Sequence, residues 1–219
     1  MTARHHPDVV TMLSYAAGAL SPAFAAVMSA HLSRCAECRQ QLARAEVIGG
    51  HLLSRQTGLP LAEDAAGKLR ARLATEPDDV APAPPAEPVR HDPHALPEAL
   101  RPYFGASLAD VRWRWIAPGI HHVRAAGVTE DHLMLLRVAP GRSLPMHTHG
   151  GRELTMILSG AYDDTLGHFA AGDVADLDGE TEHQPVTTPG LPCICVAATD
   201  APLRFSGWFA RTIQPLVPL

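Results

Sequence analysis

The stretch Gly141-Arg-Ser-Leu-Pro-Met-His147-Thr-His149-Gly-Gly-Arg-Glu153-Leu-Thr-Met-Ile-Leu-Ser-Gly160 decides how the second half of the chain is read. His147 and His149 are two residues apart, so on a strand both side chains face the same side of a sheet. Glu153 returns across a turn, and Gly160 closes the following hairpin. Short apolar runs at 111–115, 133–138, 154–158 and 193–196 surround this stretch and alternate with Gly, Pro and Asp turns. Many short, turn-bounded strands predict an antiparallel sandwich or barrel.

Upstream the texture changes twice. Between 76 and 97 the chain carries Pro77, Pro82, Pro84, Pro85, Pro88, Pro93 and Pro97, which cannot continue a helix or a central strand. This reads as a semi-extended linker of polyproline character. Before it the chain is rich in Ala and Leu at helical spacing. Leu13, Ala16, Ala17 and Leu20 line one predicted helix. Ser21-Pro22 caps and begins the next, lined by Phe24, Val27, Met28, His31 and Leu32. Val9, Val47, Leu52, Leu69 and Leu73 are further apolar positions. The expected fold class is therefore α + β in two domains. A small helical bundle occupies 1–75, the linker 76–97, and an antiparallel β-sandwich or barrel 98–219. A change in the β half would reach the helices through the linker.

Composition sets limits. The chain has 219 residues, 18 basic against 23 acidic side chains, and a formal charge of -5. That balance argues against direct nucleic-acid binding through phosphate contacts. No charged side chain lies between Asp8 and Arg34, but this segment is Ala-rich and broken by Gly18 and Pro22. It lacks the dense Leu, Ile and Val of a bilayer span, so no membrane association and a cytoplasmic location are expected. Four cysteines in two close pairs do not make a secreted disulfide framework. Thirteen histidines beside a Cys-x-x-Cys point to metal.

His31-Leu-Ser-Arg-Cys35-Ala-Glu-Cys38 is the metal signal of the first half. On a helix, positions i, i+4 and i+7 lie along one face, so the three side chains can share a centre. Zinc takes four such ligands in a tetrahedron, and the fourth must come from His5 or His6, with His6 favoured. A closed set of four is structural, because no position remains for water or substrate. A redox Cys-x-x-Cys would expect a βαβ setting that this segment lacks.

An N-terminal His followed by His-x-x-x-Cys-x-x-Cys after an Ala-rich helix resembles the zinc-containing anti-sigma domain. The 141–160 stretch resembles the first cupin motif in all its spaced residues. That likeness implies a further ligand from a later strand, for which His183 is placed, so His147, His149, Glu153 and His183 are the expected second metal set. Its donors suit Zn, Fe, Mn or Ni. The second cupin motif is partial: Ala170-Ala-Gly172-Asp173 stands where Pro-x-Gly is usual, and Thr187 where Asn is frequent. The combination resembles the ChrR-type anti-sigma factors, as do Met1-Thr-Ala-Arg-His-His6, Tyr15-Ala-Ala-Gly18, Asp110-Val-Arg-Trp113 and the stretch from Ala198 to Phe205.

This resemblance implies a non-enzymatic regulator that holds an extracytoplasmic-function sigma factor through its zinc-bound helical domain. It also implies release under oxidative stress, of singlet oxygen or peroxide type, sensed through the cupin domain. The alternative is a mononuclear metal-dependent cupin enzyme, a dioxygenase or isomerase, with a helical dimerisation module. Cys193 and Cys195 face one side of a strand and read as small apolar wall residues. His121, His122 and His132 read as surface or satisfied core residues, and Trp113, Trp115 and Trp208 as packing.

Overall fold

A computed structural model describes residues 3–75, 92–129 and 131–205. Most of the proline-rich linker, 76–91, and Trp208 lie outside the described residues. Four helices come first. Helix α1 (Val9–Ala16) is capped by Asp8, whose carboxylate accepts the Thr11 N–H at 2.6 Å. Helix α2 (Pro22–Arg34) has Ser21 at its N-cap position and the proline in its first turn. Helices α3 (Ala36–Ser54) and α4 (Ala65–Thr75) follow. A 3-10 turn at Glu98–Leu100 runs into the short α5 (Arg101–Phe104).

The strands are β1 (Arg114–Ala117), β2 (Ile120–Arg124), β3 (His132–Val138), β4 (His147–His149), β5 (Glu153–Ser159), β6 (Ala161–Asp164), β7 (Gly167–Ala170), β8 (Val174–Leu177), β9 (Val186–Thr187), β10 (Cys193–Thr199) and β11 (Leu203–Phe205). They form a six-stranded sheet in the order β1-β2-β3-β10-β5-β8, with smaller sheets β7-β6-β9 and β11-β4. Every ladder is antiparallel. Gly160 turns β5 into β6 at φ +72°, and a Cβ there would run into the Pro192 carbonyl. No other residue type fits that hairpin.

Strand alternation assigns the two faces of the large sheet. Leu133 and Leu135 of β3, Leu154, Met156 and Leu158 of β5, and Val196 and Ala198 of β10 form one core with Phe24, Val27, Met28 and Leu32 of α2. Met134 and Leu136, Glu153 and Thr155, and Cys193, Cys195 and Ala197 line a cavity on the opposite face. The second helix therefore packs directly on the β half, and its five residues expected from spacing to share a face are all buried. Val9, Leu13, Val47, Leu52, Leu69 and Leu73 do not join this core and stay exposed. Among the described residues, no helix is long and apolar enough to cross a membrane.

Met28 is fully buried between the helices and the sheet. Met28→Ala should lower the stability of the full chain by about 2–5 kcal/mol, the usual cost of a core truncation, read from urea denaturation.

Candidate metal centres

His31, Cys35 and Cys38 do not sit on one continuous helix, as their spacing suggested. The backbone leaves the helical region at Cys35 (φ −103°, ψ 109°), which ends α2 and caps α3. Helix α2 thus delivers His31 and helix α3 delivers Cys38, with Cys35 at the junction between them. His6 arrives from the extended tail before α1. Its Nδ1 lies 3.5 Å from Cys35 Sγ and 3.3 Å from Cys38 Sγ, while His31 Nε2 is 3.2 Å from Cys38 Sγ. Adjacent ligands around tetrahedral zinc are about 3.3–3.8 Å apart, given its usual bond lengths. All four donor atoms lie within 4.8 Å of one another. The set fits a zinc ion.

The electrostatics point the same way. Burial lowers the His31 imidazole below its ordinary value. Burial, with Cys35 beside it, pushes the Cys38 thiol up to about 12. A divalent cation reverses that preference, because it binds the thiolate and the neutral imidazole. Outside the four donors, Glu37 approaches His6 Nε2 at 3.5 Å, and the Gly172 carbonyl accepts from His31 Nδ1 at 3.0 Å. His5, the other candidate, points elsewhere: its ring stacks on Phe169 with centroids 4.1 Å apart.

The second set lies on the opposite face of the large sheet. Strand β4 carries His147 and His149 on one side, β5 opens with Glu153, and His183 bridges back to His147 through paired backbone bonds of 3.0 and 3.1 Å. Their four donor atoms also lie within 4.8 Å of one another, and all four residues are buried. His149 Nε2 is 2.9 Å from Glu153 Oε2 and 3.2 Å from His183 Nε2. Two imidazole nitrogens that close need a proton or a cation between them. His183 Nδ1 meets Asp164 Oδ2 at 3.2 Å, His147 Nδ1 meets the Pro145 carbonyl at 2.7 Å, and Thr155 donates to Glu153 Oε1 at 2.7 Å. Such outer partners fix which nitrogen is left to bind a metal. The donor set fits a divalent transition metal.

Three of the four residues, His147, Glu153 and His183, border a cavity of about 170 Å³ whose other walls are mostly apolar, among them Ile116, Met134 and Leu136. Burial by itself would raise the Glu153 carboxyl, but the charge and hydrogen bond of His149, with His183 and Thr155, outweigh it and hold the group at about 2. Burial brings His147 down to about 4. Cys193 and Cys195 line the same cavity as free thiols, and burial pushes Cys193 up to about 12 and Cys195 well above its ordinary value. Both are protonated wall residues, in keeping with their spacing.

Among the described residues, His121, His122 and His132 join neither cluster. Trp113 packs against the main core and Trp115 is exposed. Sequence reasoning missed Asp164 and Asp173, both of which support histidines of the two sets or their neighbours. No motif marks them; their roles arise only when distant strands meet.

The family model of the ChrR cupin-like domain matches residues 103–201. Among curated proteins, the anti-sigma-E factor ChrR of Cereibacter sphaeroides is 40% identical over 215 residues, 98% of each chain. Among solved structures, the Rhodobacter sphaeroides complex of SigE with the anti-sigma ChrR has a chain 39% identical to this one. It covers 91% of this chain and 100% of that one, with a TM-score of 0.75.

Metal-free protein should be acid-sensitive for two reasons of the same sign. Glu153, normally 4.5 and here about 2, contributes stability that is complete above pH 4.5 and lost as pH falls toward 2. His147, normally 6.5 and here about 4, refuses a proton that the unfolded chain accepts, so stability falls as pH drops from 6.5 to 4. In chelator-treated protein the urea midpoint should decline across that upper window, and His147→Gln should flatten the decline.

Proposed function

Since this chain belongs to the ChrR family of anti-sigma factors, we propose that it binds and inhibits an extracytoplasmic-function sigma factor through its metal-pinned helical half. The observation that carries this reading is an uncovered apolar surface. Val47, Ile48, Leu52 and Leu53 of α3, Leu59 and Leu61 beyond it, and Leu69 and Leu73 of α4 are each 58–90% exposed. Helix α4 buries none of its residues. An isolated helix of eleven residues is marginal in water, so α4 draws its stability from a partner. Val9, Val10 and Leu13 extend the exposed apolar surface onto α1. An apolar area this broad on a soluble chain marks a protein interface. A clasp of this kind would bury about 2,000 Å² or more. A cupin enzyme with a helical dimerisation module would also present such a surface, but it has no need of the closed His6, His31, Cys35 and Cys38 set, and the role is regulatory.

The residues divide the work. His6, His31, Cys35 and Cys38 hold a structural zinc that joins the tail, α2 and α3, and so sets the angle between α2 and α3. His147, His149, Glu153 and His183 hold a second divalent metal, zinc or another transition ion, at the edge of the apolar cavity. When bound, that metal would supply Lewis-acid chemistry beside the cavity. The chain's own part there is to exclude water and to keep four donors in place. Oxidative stress, of singlet oxygen or peroxide type, acts on the cupin half and weakens the clasp. A change of about 3–4 kcal/mol in binding would free several hundredfold more partner. The helical unit of 1–75, the linker of 76–97 and the cupin unit of 98–219 are the functional divisions. The chain acts in the cytoplasm.

Replacing Leu69 and Leu73 together with Asp should weaken capture of the co-expressed sigma factor at least about 100-fold in titration calorimetry, with the fold unchanged by circular dichroism. Undiminished affinity would remove α4 from the interface. Cys38→Ser should lose both zinc and inhibition, whereas Glu153→Ala should keep inhibition and blunt the oxidant response. A sigma-dependent reporter separates the two results.

A further inference from the structure

We propose that Asp173, in the turn between β7 and β8, is a positioning residue for the helical metal set, through which the cupin half fixes His6, while the Gly172 carbonyl of the same turn orients His31. This rests on the reading of His6, His31, Cys35 and Cys38 as ligands, and adds what holds them in place. The tail that carries His6 is tied to the β half by its backbone. Asp173 is buried, and its Oδ1 accepts the N–H groups of Arg4 at 2.6 Å and His5 at 3.1 Å. Its Oδ2 accepts the Ala170 N–H at 2.8 Å, which fixes the carboxylate in the turn. The His5 carbonyl accepts from Val174 N at 3.1 Å, which ties the tail by its backbone to β8, the outermost strand of the large sheet. The His5 ring bonds the His168 carbonyl at 3.1 Å and stacks on Phe169. His6 follows directly, with no freedom left in the residue before it.

The second histidine is held by the same turn. The Gly172 carbonyl takes the Nδ1 proton of His31, which leaves Nε2 as the metal-facing atom. Gly172 itself sits at φ +101°, a backbone conformation that aims this carbonyl and that side chains rarely adopt. The cysteines, by contrast, are set by the helix junction alone: Cys35 N bonds the His31 carbonyl at 2.9 Å and Cys38 N bonds Cys35 Sγ at 3.4 Å. His6 thus comes registered to the cupin turn, the thiolates to the α2–α3 corner, and His31 to both. Any movement between turn and corner pulls the four donors apart. A change inside the β half reaches the zinc by this contact, without travelling along the linker.

Cobalt is the probe, because thiolate-to-cobalt charge transfer reports the Cys-containing set and is silent for the cupin set. In the full chain, Asp173→Ala should weaken cobalt affinity at the thiolate set about 10–100-fold, the usual effect of losing an outer support. In a Cys38→Ser background, the same substitution should leave the affinity of the remaining cupin set unchanged. Asp173→Asn keeps one oxygen for the tail but loses the Ala170 bond, and should fall between wild type and Ala. Should the Ala variant be recovered unfolded, the Asn variant is judged by the same two affinities, with a several-fold loss expected at the thiolate set alone. Equal affinity at the thiolate set in wild type and variant would overturn the proposal. So would an equal loss at both sets, which would mean general destabilisation. Absence of the charge-transfer band in the wild-type chain would instead overturn the metal reading on which it rests.

Discussion

Burial of one β-sheet on both of its faces is the constraint on which the rest of this molecule depends. Strand β5 shows it within a single run. Leu154, Met156 and Leu158 pack toward α2, while Glu153 and Thr155 look into the cavity on the other side. The same strand therefore anchors the helices and supplies a donor to the cupin cluster. Neither face can be lost without exposing the other half's core to water. A sheet used this way transmits displacement, because close-packed side chains repack rather than deform smoothly.

A cation in each donor set would offset a cost that the fold otherwise carries. Glu153 and three histidines, all buried, and a His2Cys2 group with two fully buried members are expensive to hold in a low-dielectric interior without a cation. Their outer partners show how closely each set is built. Asp164 orients His183, the Gly172 carbonyl orients His31, and Thr155 orients Glu153. The two sets differ in surroundings more than in number of donors. The helical one combines cysteines and histidines at an element junction; the cupin one borders an apolar cavity.

What could be read in the sequence follows range. His147 and His149 are two apart, and Cys35 and Cys38 three apart, so local geometry alone brings them together. The residues of both clusters were legible in this way, with His183 reached through family resemblance and His6 as the favoured of two N-terminal candidates. The strand-rich second half and the N-terminal helices were legible for the same reason, since periodicity is local. The docking of α2 on the sheet was not. Phe24, Val27 and Met28 have the spacing of any buried helix face, and nothing in that spacing names what covers them. Asp173 was equally invisible: it lies 168 residues from His5, and only the folded sheet brings them into contact. The break at Cys35 escaped because a helix and a helix corner can present the same residues at the same spacing.

The tail that delivers His6 also takes the Val174 amide at the start of β8, the outermost strand of the large sheet. Detaching it would bare a template for edge-to-edge pairing between molecules, along with the Phe169 ring that His5 now shields. A conformer with the tail detached would thus also be the one most prone to aggregate. A chain whose tail has come away would be drawn into such pairing unless refolding closes the edge first.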